Sequence, residues 1–186
     1  MAGSLIKVDE FTISSAVASI ILGGGSSGSS GANVSIDSTY DVYLFTTTNS
    51  DVSVDNSNIL LRVTKTSDNS ADTTANYDNA YKLLSPSFDF SNQANTNMTS
   101  FQHLGGSGTG TNESGVATAY LFNWANTNEY SFMTWETNIY NQTPALFSAK
   151  GGQVHTVAQS NNGIQILMNT GNLTSGTFTI YGLRKF

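Results

Sequence analysis

The chain contains no cysteine, which excludes disulfide bonds, thiolate metal sites and a cysteine nucleophile. Charge is also scarce, since only 11% of the 186 residues are charged and only 7 are Lys or Arg. So few cations cannot follow a phosphate backbone, and we expect no nucleic-acid partner. No apolar run approaches the roughly 18 residues that a spanning helix needs, so we expect no membrane insertion either.

Uncharged polar residues dominate what is present. Ser, Thr and Asn number 25, 23 and 20, Gly adds 17, and the formal net charge is −6. Apolar residues at 38% and aromatic residues at 11% still favour a folded core over disorder. The length is that of one domain. We therefore predict a single β-sandwich domain over 1–186, with an N-terminal strand region at 1–22 and a Gly/Ser-rich loop at 23–31.

The first residues lack the positive region and apolar core of a secretory signal peptide. We therefore expect a protein that is made in a cytoplasm and is not exported by that route.

Period-two alternation of apolar and polar residues is the main structural signal. About ten short strands separated by turns, with no amphipathic helix, predict an all-β fold, an antiparallel and jelly-roll-like β-sandwich. Hairpin turns are expected at 150–153 (Lys-Gly-Gly-Gln) and 161–163 (Asn-Asn-Gly). The predicted strands lie at 11–22, 40–48, 58–66, 80–84, 98–104, 116–124, 130–140, 145–150, 153–159, 164–169 and 176–183.

The two histidines, His103 and His155, lie on separate predicted strands and show no metal-binding spacing. We interpret both as ordinary strand residues. Asp51 and Asp55 are spaced like the oxygen ligands of a calcium loop. However, other residues occupy the two positions where an EF-hand needs Gly and Glu. A turn therefore explains Asp51 and Asp55 better. The sequence therefore predicts no catalytic residue, no metal site and no cofactor.

Glu113, Glu129 and Glu136 are carboxylates near predicted strand ends, and a glycosidase needs two carboxylates beside a cleft. No spacing selects a pair among the three. We predict that the protein is not an enzyme, and an enzyme acting on surface polysaccharide stays the third hypothesis.

Aromatic residues are concentrated between 120 and 140. Most of them are expected in the core, but Trp124 starts the Asn-rich loop 123–128. An exposed aromatic ring suits stacking on a sugar. We therefore predict a glycan contact at Trp124, Asn126 and Asn128.

The segment 164–185, Ile-Gln-Ile-Leu-Met-Asn-Thr-Gly-Asn-Leu-Thr-Ser-Gly-Thr-Phe-Thr-Ile-Tyr-Gly-Leu-Arg-Lys, is distinctive. It resembles the C-terminal signature of a family of bacteriophage virion proteins, I-x-[FIL]-x-x-x-x-G-x-[IL]-x-x-G-x-[FIV]-x-[IL]-[YF]-G. The strands at 16–22, 38–45 and 60–63 resemble earlier parts of that family. The resemblance implies a β-sandwich on phage particles, particularly of marine and cyanobacterial phages, either as a capsid decoration protein or as the head of a fibre. It supplies no catalytic residues.

Together these observations predict a non-enzymatic structural protein on the virion surface, a small decoration or capsid-fibre subunit that forms a homotrimer or another oligomer. Its expected partners are the major capsid protein, or another virion protein, and its own protomers. Apolar residues near the two chain ends are the expected contacts: Leu5, Ile6, Val8, Phe11, Leu183 and Phe186. The alternative is a tail-fibre-type receptor-binding module that recognises host-surface carbohydrate.

Overall fold

The computed structural model describes residues 4–24, 34–86, 88–102, 104–106, 108–141 and 145–183. Within these ranges the chain forms eleven strands and no helix, which confirms the predicted antiparallel β-sandwich. The strands are β1 (Leu5–Thr12), β2 (Ser19–Gly23), β3 (Val42–Val52), β4 (Ile59–Lys65), β5 (Tyr77–Ser85), β6 (Phe88–Met98), β7 (Gly115–Phe122), β8 (Ser131–Asn141), β9 (Ala145–His155), β10 (Asn161–Met168) and β11 (Leu173–Leu183).

Two sheets of unequal size make up the sandwich. The large sheet has eight strands in the order β1-β11-β3-β7-β8-β9-β5-β6, and the small sheet has three in the order β2-β10-β4. All the pairings in both sheets are antiparallel. The edges of the large sheet are therefore β1 and β6, which carry very different side chains.

The core lies between the sheets and is built from alternating inward-facing residues. In β4, Ile59, Leu61 and Val63 are fully buried, as their predicted common face requires. The stretch between β6 and β7 runs beside β4, where Phe101 forms an isolated bridge with Leu61. Phe101 also packs edge-on against Tyr77 of β5, with ring centroids 4.9 Å apart. This stretch therefore helps to cover the part of the large sheet around β5.

The predicted strand at 11–22 is in fact two strands in different sheets. β1 starts earlier, at Leu5, and belongs to the large sheet, whereas β2 belongs to the small one. The chain bends at Ser14 and Ser15 to cross between them. Alternation of side chains continues on both sides of the bend, so periodicity alone did not reveal the crossing.

Neither predicted glycine hairpin exists. Gly151 and Gly152 lie inside the continuous strand β9, and Gly163 lies inside β10. Gly151 is needed there because an added Cβ would stand 2.3 Å from the carbonyl oxygen of Ala80 on β5. Gly151 therefore marks close packing between strands rather than a turn.

The strand predicted at 98–104 is also misplaced. The regular strand is β6, Phe88–Met98, and Phe101 contributes only an isolated bridge. β6 is an edge strand rich in Ser, Asn and Gln, so it shows no apolar alternation that a sequence pattern could detect.

Candidate functional site

The two chain ends that were predicted as contact elements lie side by side. β1 pairs with β11, and Leu5 is the register partner of Leu183. Leu5 and Ile6 are 52% and 38% exposed, and Leu183 is half-buried. Val8 and Phe11 are half-buried and pack against the protein's own core, so only part of each side chain is available to a partner. Phe186 lies outside the described residues.

Asp9 fixes this edge to the rest of the molecule, a role that the sequence did not reveal. It is 5% exposed, and its carboxylate accepts hydrogen bonds from the backbone N–H groups of Gly23, at 2.8 Å, and Glu10, at 2.8 Å. The first bond joins β1 of the large sheet to β2 of the small sheet. A register irregularity between Lys7 and Asp9 accompanies this arrangement. The sequence gives no signal for this role, because Asp9 stands beside Glu10 and resembles an ordinary exposed acidic pair.

The prediction that Trp124 contacts a glycan at the surface is wrong. Trp124 is 2% exposed, and its indole N–H donates to the carbonyl oxygen of Gly163 at 3.0 Å. Its ring lies beside Phe101, with centroids 6.0 Å apart. The loop after β7 turns its apolar side chain inward, because burial with a satisfied N–H is favourable. Asn126 and Asn128 of the same loop are exposed, but without the ring they form no stacking site.

His155 and Asp72 form a buried pair. The His155 Nε2 lies 3.0 Å from the Asp72 Oδ2, the ring is 0% exposed, and its Nδ1 has no partner among the described residues. Burial lowers the pKa of His155, and the Asp72 carboxylate only partly opposes this shift. Burial by itself raises the pKa of Asp72, but hydrogen bonds from Thr74 and His155 outweigh it and the net shift is downward. The pair is sealed from solvent and serves packing. His103 lies outside the described residues.

Three of the remaining acidic residues accept hydrogen bonds from neighbouring segments of the chain. Asp51 accepts a hydrogen bond from the Ser175 hydroxyl at 2.7 Å, and Asp55 accepts one from the Thr109 hydroxyl at 2.8 Å. Glu113 accepts from the backbone N–H of Gly110, in the loop before β7. Across the described ranges, no group of three or more His, Asp or Glu side chains could hold a metal ion. These carboxylates therefore stabilise the local loop conformation by accepting hydrogen bonds.

A wide aromatic surface lies on the side of the large sheet that points away from the small sheet, which we call the outer face. Along β7 and β8 the inward residues are buried, while Tyr120, Phe132 and Tyr140 are 41%, 44% and 45% exposed. The neighbouring Leu146 of β9 is 47% exposed. Apolar exposure concentrated on one face marks an interaction surface. The sequence predicted these aromatic residues as core, because alternation does not show which of two faces is covered.

The middle of the outer face is hollowed. A hollow of about 500 Å³ lies beside Tyr120, Lys82 and Lys150, and one of about 320 Å³ lies beside Phe132 and Gly152. Both are open depressions in the sheet surface. They exist because β9 continues through its two glycines, which the predicted hairpin would have prevented.

No helix long and apolar enough to cross a membrane occurs in the described part of the chain. Comparison with protein-family models, with curated proteins and with solved structures finds no match to this chain.

Proposed function

We propose that the chain is a non-enzymatic structural protein on the surface of a bacteriophage particle, a capsid decoration or capsid-fibre subunit that binds the capsid and its own protomers. The resemblance of 164–185 to a virion-protein signature supports this proposal. The β-sandwich that the resemblance implies is the fold that the chain has. These two observations support the proposed class of protein and leave open the surface that it binds.

The meeting of the two chain ends at one sheet edge is the observation that carries the proposal. Within the described part of the chain, β11 is the one strand that pairs with β1, so β1 is an edge strand of the large sheet. Leu5 and Ile6 add exposed apolar side chains to that edge. Such an edge accepts a further strand or an apolar surface from a partner. The opposite edge, β6, is polar over most of its length, although its Phe90 is 75% exposed.

Attachment at this edge would depend on apolar burial and backbone hydrogen bonds rather than on charge. Only 11% of the residues are charged, so few of the contacts of the chain can be screened by salt. We expect attachment to change little as the ionic strength of the medium rises. A strong loss of attachment at high salt would argue for charged contacts elsewhere.

The experiment replaces Leu5 and Ile6 by serine and measures rebinding of the purified protein to particles that lack it. Both side chains are exposed, so we expect an unchanged thermal transition together with a loss of binding. Val54→Ser is the matched control, because Val54 is 39% exposed and lies in a loop away from β1. Deleting all of β1 is a poorer test, since it also removes the buried Asp9. Unchanged rebinding of the serine variant would refute the proposed edge.

Self-association gives a second measurement. The proposal includes a homotrimer, and light scattering after size exclusion measures the mass directly. A mass near three times the 19.8 kDa of one chain supports it, and a monomer at all concentrations contradicts it.

A further inference from the structure

The outer face carries a built depression that the contact edge at β1 does not use. Three adjoining hollows of about 500, 480 and 320 Å³ share residues across β8, β9 and β5. Thr134 of β8 and Ala80 of β5 each line two of the hollows, and Gly152 lies between them in the strand register. Longer side chains border this row of residues on both sides. The result is an open trough that runs across the strands.

Gly152 lines the hollow of about 320 Å³, and the fold does not require glycine there. A Cβ added at Gly152 would meet nothing within 4 Å, and the residue has no positive φ. Its neighbour Gly151 is different, since its Cβ would collide with the backbone of β5. Glycine inside a strand costs roughly 0.5–1 kcal/mol relative to alanine. Glycine inside a strand often marks a bulge, a bend or a close approach of a ligand or another backbone, and the open space at Gly152 fits the approach of a ligand.

Two unpartnered lysines border the trough. Among the described residues, Lys7 pairs with Glu10 and Lys65 pairs with Asp68, and Arg62 donates to a backbone carbonyl. Neither the side chain of Lys82 nor that of Lys150 forms an ion pair or a hydrogen bond with any residue in the described part of the chain.

These two lysines are also direct neighbours. Lys82 and Lys150 are register partners on β5 and β9, so two like charges stand side by side. Glu136 is the cross-strand neighbour of Lys150 on its other side, but no ion pair joins them. In a chain of net charge −6, such a pair is a local site for an anionic group.

Aromatic rings flank the same trough. Tyr120 lines the largest hollow together with both lysines, and Phe132 lines the hollow above Gly152. Exposed aromatic faces stack on the apolar faces of sugar rings. The hydroxyl of Thr134, which both hollows share, and the carboxylate of Glu136 supply hydrogen-bonding groups between the rings and the lysines.

We propose that this trough binds an acidic saccharide, with its rings against Tyr120 and Phe132 and its anionic group between Lys82 and Lys150. Charge complementarity selects the acidic group, and the aromatic borders select a sugar over a flexible acidic peptide. Nucleic acid is disfavoured by the net charge of −6. The inference does not rest on the proposed virion role, because it concerns a different face of the molecule.

The test is isothermal titration of the full chain at low salt with four defined probes. Hexagalacturonate carries carboxylates and a heparin-derived hexasaccharide carries sulfates, so the two acidic arms distinguish the anion. Maltohexaose is the neutral sugar, and a short poly-glutamate is the acidic chain without sugar rings. We expect at least one acidic saccharide to bind about tenfold or more tightly than both maltohexaose and poly-glutamate.

Two variants locate the binding. Lys82→Gln with Lys150→Gln removes both exposed charges, and Gly152→Val fills the floor at a position with free space, so both variants should fold. Each should weaken binding by about tenfold or more. Lys7→Gln is the control, since Lys7 is an exposed lysine on β1, and it should bind as the unmodified chain does.

Four results would overturn the proposal. The first is no binding of either acidic hexasaccharide at millimolar concentration. The second is equal binding of poly-glutamate, which would show charge attraction alone. The third is full binding by the double-lysine variant or by Gly152→Val. The fourth is that the unmodified chain forms a dimer and Gly152→Val is a monomer. A second copy of the chain would then be the occupant of the trough.

Discussion

Replacing Trp124 by alanine should destabilise the domain strongly. The side chain is 2% exposed, its ring packs beside Phe101, and its N–H donates to the carbonyl oxygen of Gly163 on β10 at 3.0 Å. The loop after β7 is therefore tied to the small sheet through this one residue. Removing it leaves a cavity in the core and an acceptor without its donor.

The expected loss follows from these two effects. Truncation of a buried tryptophan to alanine costs about 3–5 kcal/mol. In a domain of this size each kcal/mol lowers the melting temperature by about 2–4 °C, so the transition should fall by about 6–20 °C. Trp124→Phe keeps an aromatic ring but removes the donor, and it should cost about 1–3 kcal/mol.

The assay is thermal and urea unfolding followed by circular dichroism. Asn128→Ala is the matched control, because Asn128 is exposed in the same loop and should change stability by no more than about 0.5 kcal/mol. If Trp124→Ala has the same melting temperature as the unmodified protein, the ring contributes nothing to the stability of the core. The buried position described above would then be wrong, and a surface role for Trp124 would return.

Three further predictions concern other parts of the fold. Gly151→Ala should destabilise the domain, since the added Cβ would collide with β5, whereas Gly152→Ala should leave stability unchanged or raise it slightly. Urea unfolding measures both variants. An equal loss of stability in the two would instead indicate a turn at 150–153. Asp9→Ala should cost about 1–3 kcal/mol, because it leaves the buried Gly23 N–H without its acceptor, and an unchanged urea midpoint would contradict the role of Asp9 in joining the sheets. Because the folded-state pKa of His155 is lowered, the unfolded chain binds the extra proton, and stability should fall as pH drops below about 6.5. His155→Gln should show a smaller fall in that window in unfolding titrations, and an identical pH profile would contradict the assignment.

The sequence predicted the fold class because alternation is a local signal. β4, β7, β8 and β11 lie close to their predicted positions, since each has alternate residues buried in the core. Which strands pair with one another in a sheet depends on residues that are far apart in the chain. The crossing between β1 and β2 and the polar edge strand β6 left no pattern in the chain for that reason.

The candidate sites show the same division. The exposed apolar residues at the chain start were visible in the sequence, but their pairing with Leu183 depends on the sheet order. Trp124 was misassigned because a loop position does not reveal which way a side chain turns. The trough was missed because Gly151 and Gly152 form a typical turn signal, and only the neighbouring strands show that β9 runs straight through them.

The central claim is that this chain is a structural component of a phage particle, and its copy number in the particle tests that claim most directly. Particles produced from the genome that encodes the chain would be purified, and the chain would be quantified by mass spectrometry against the major capsid protein. A fixed ratio near that of the capsid lattice is the predicted result for a decoration subunit, and a few dozen copies would place the chain on a fibre or tail. Absence of the chain from purified particles would contradict the account.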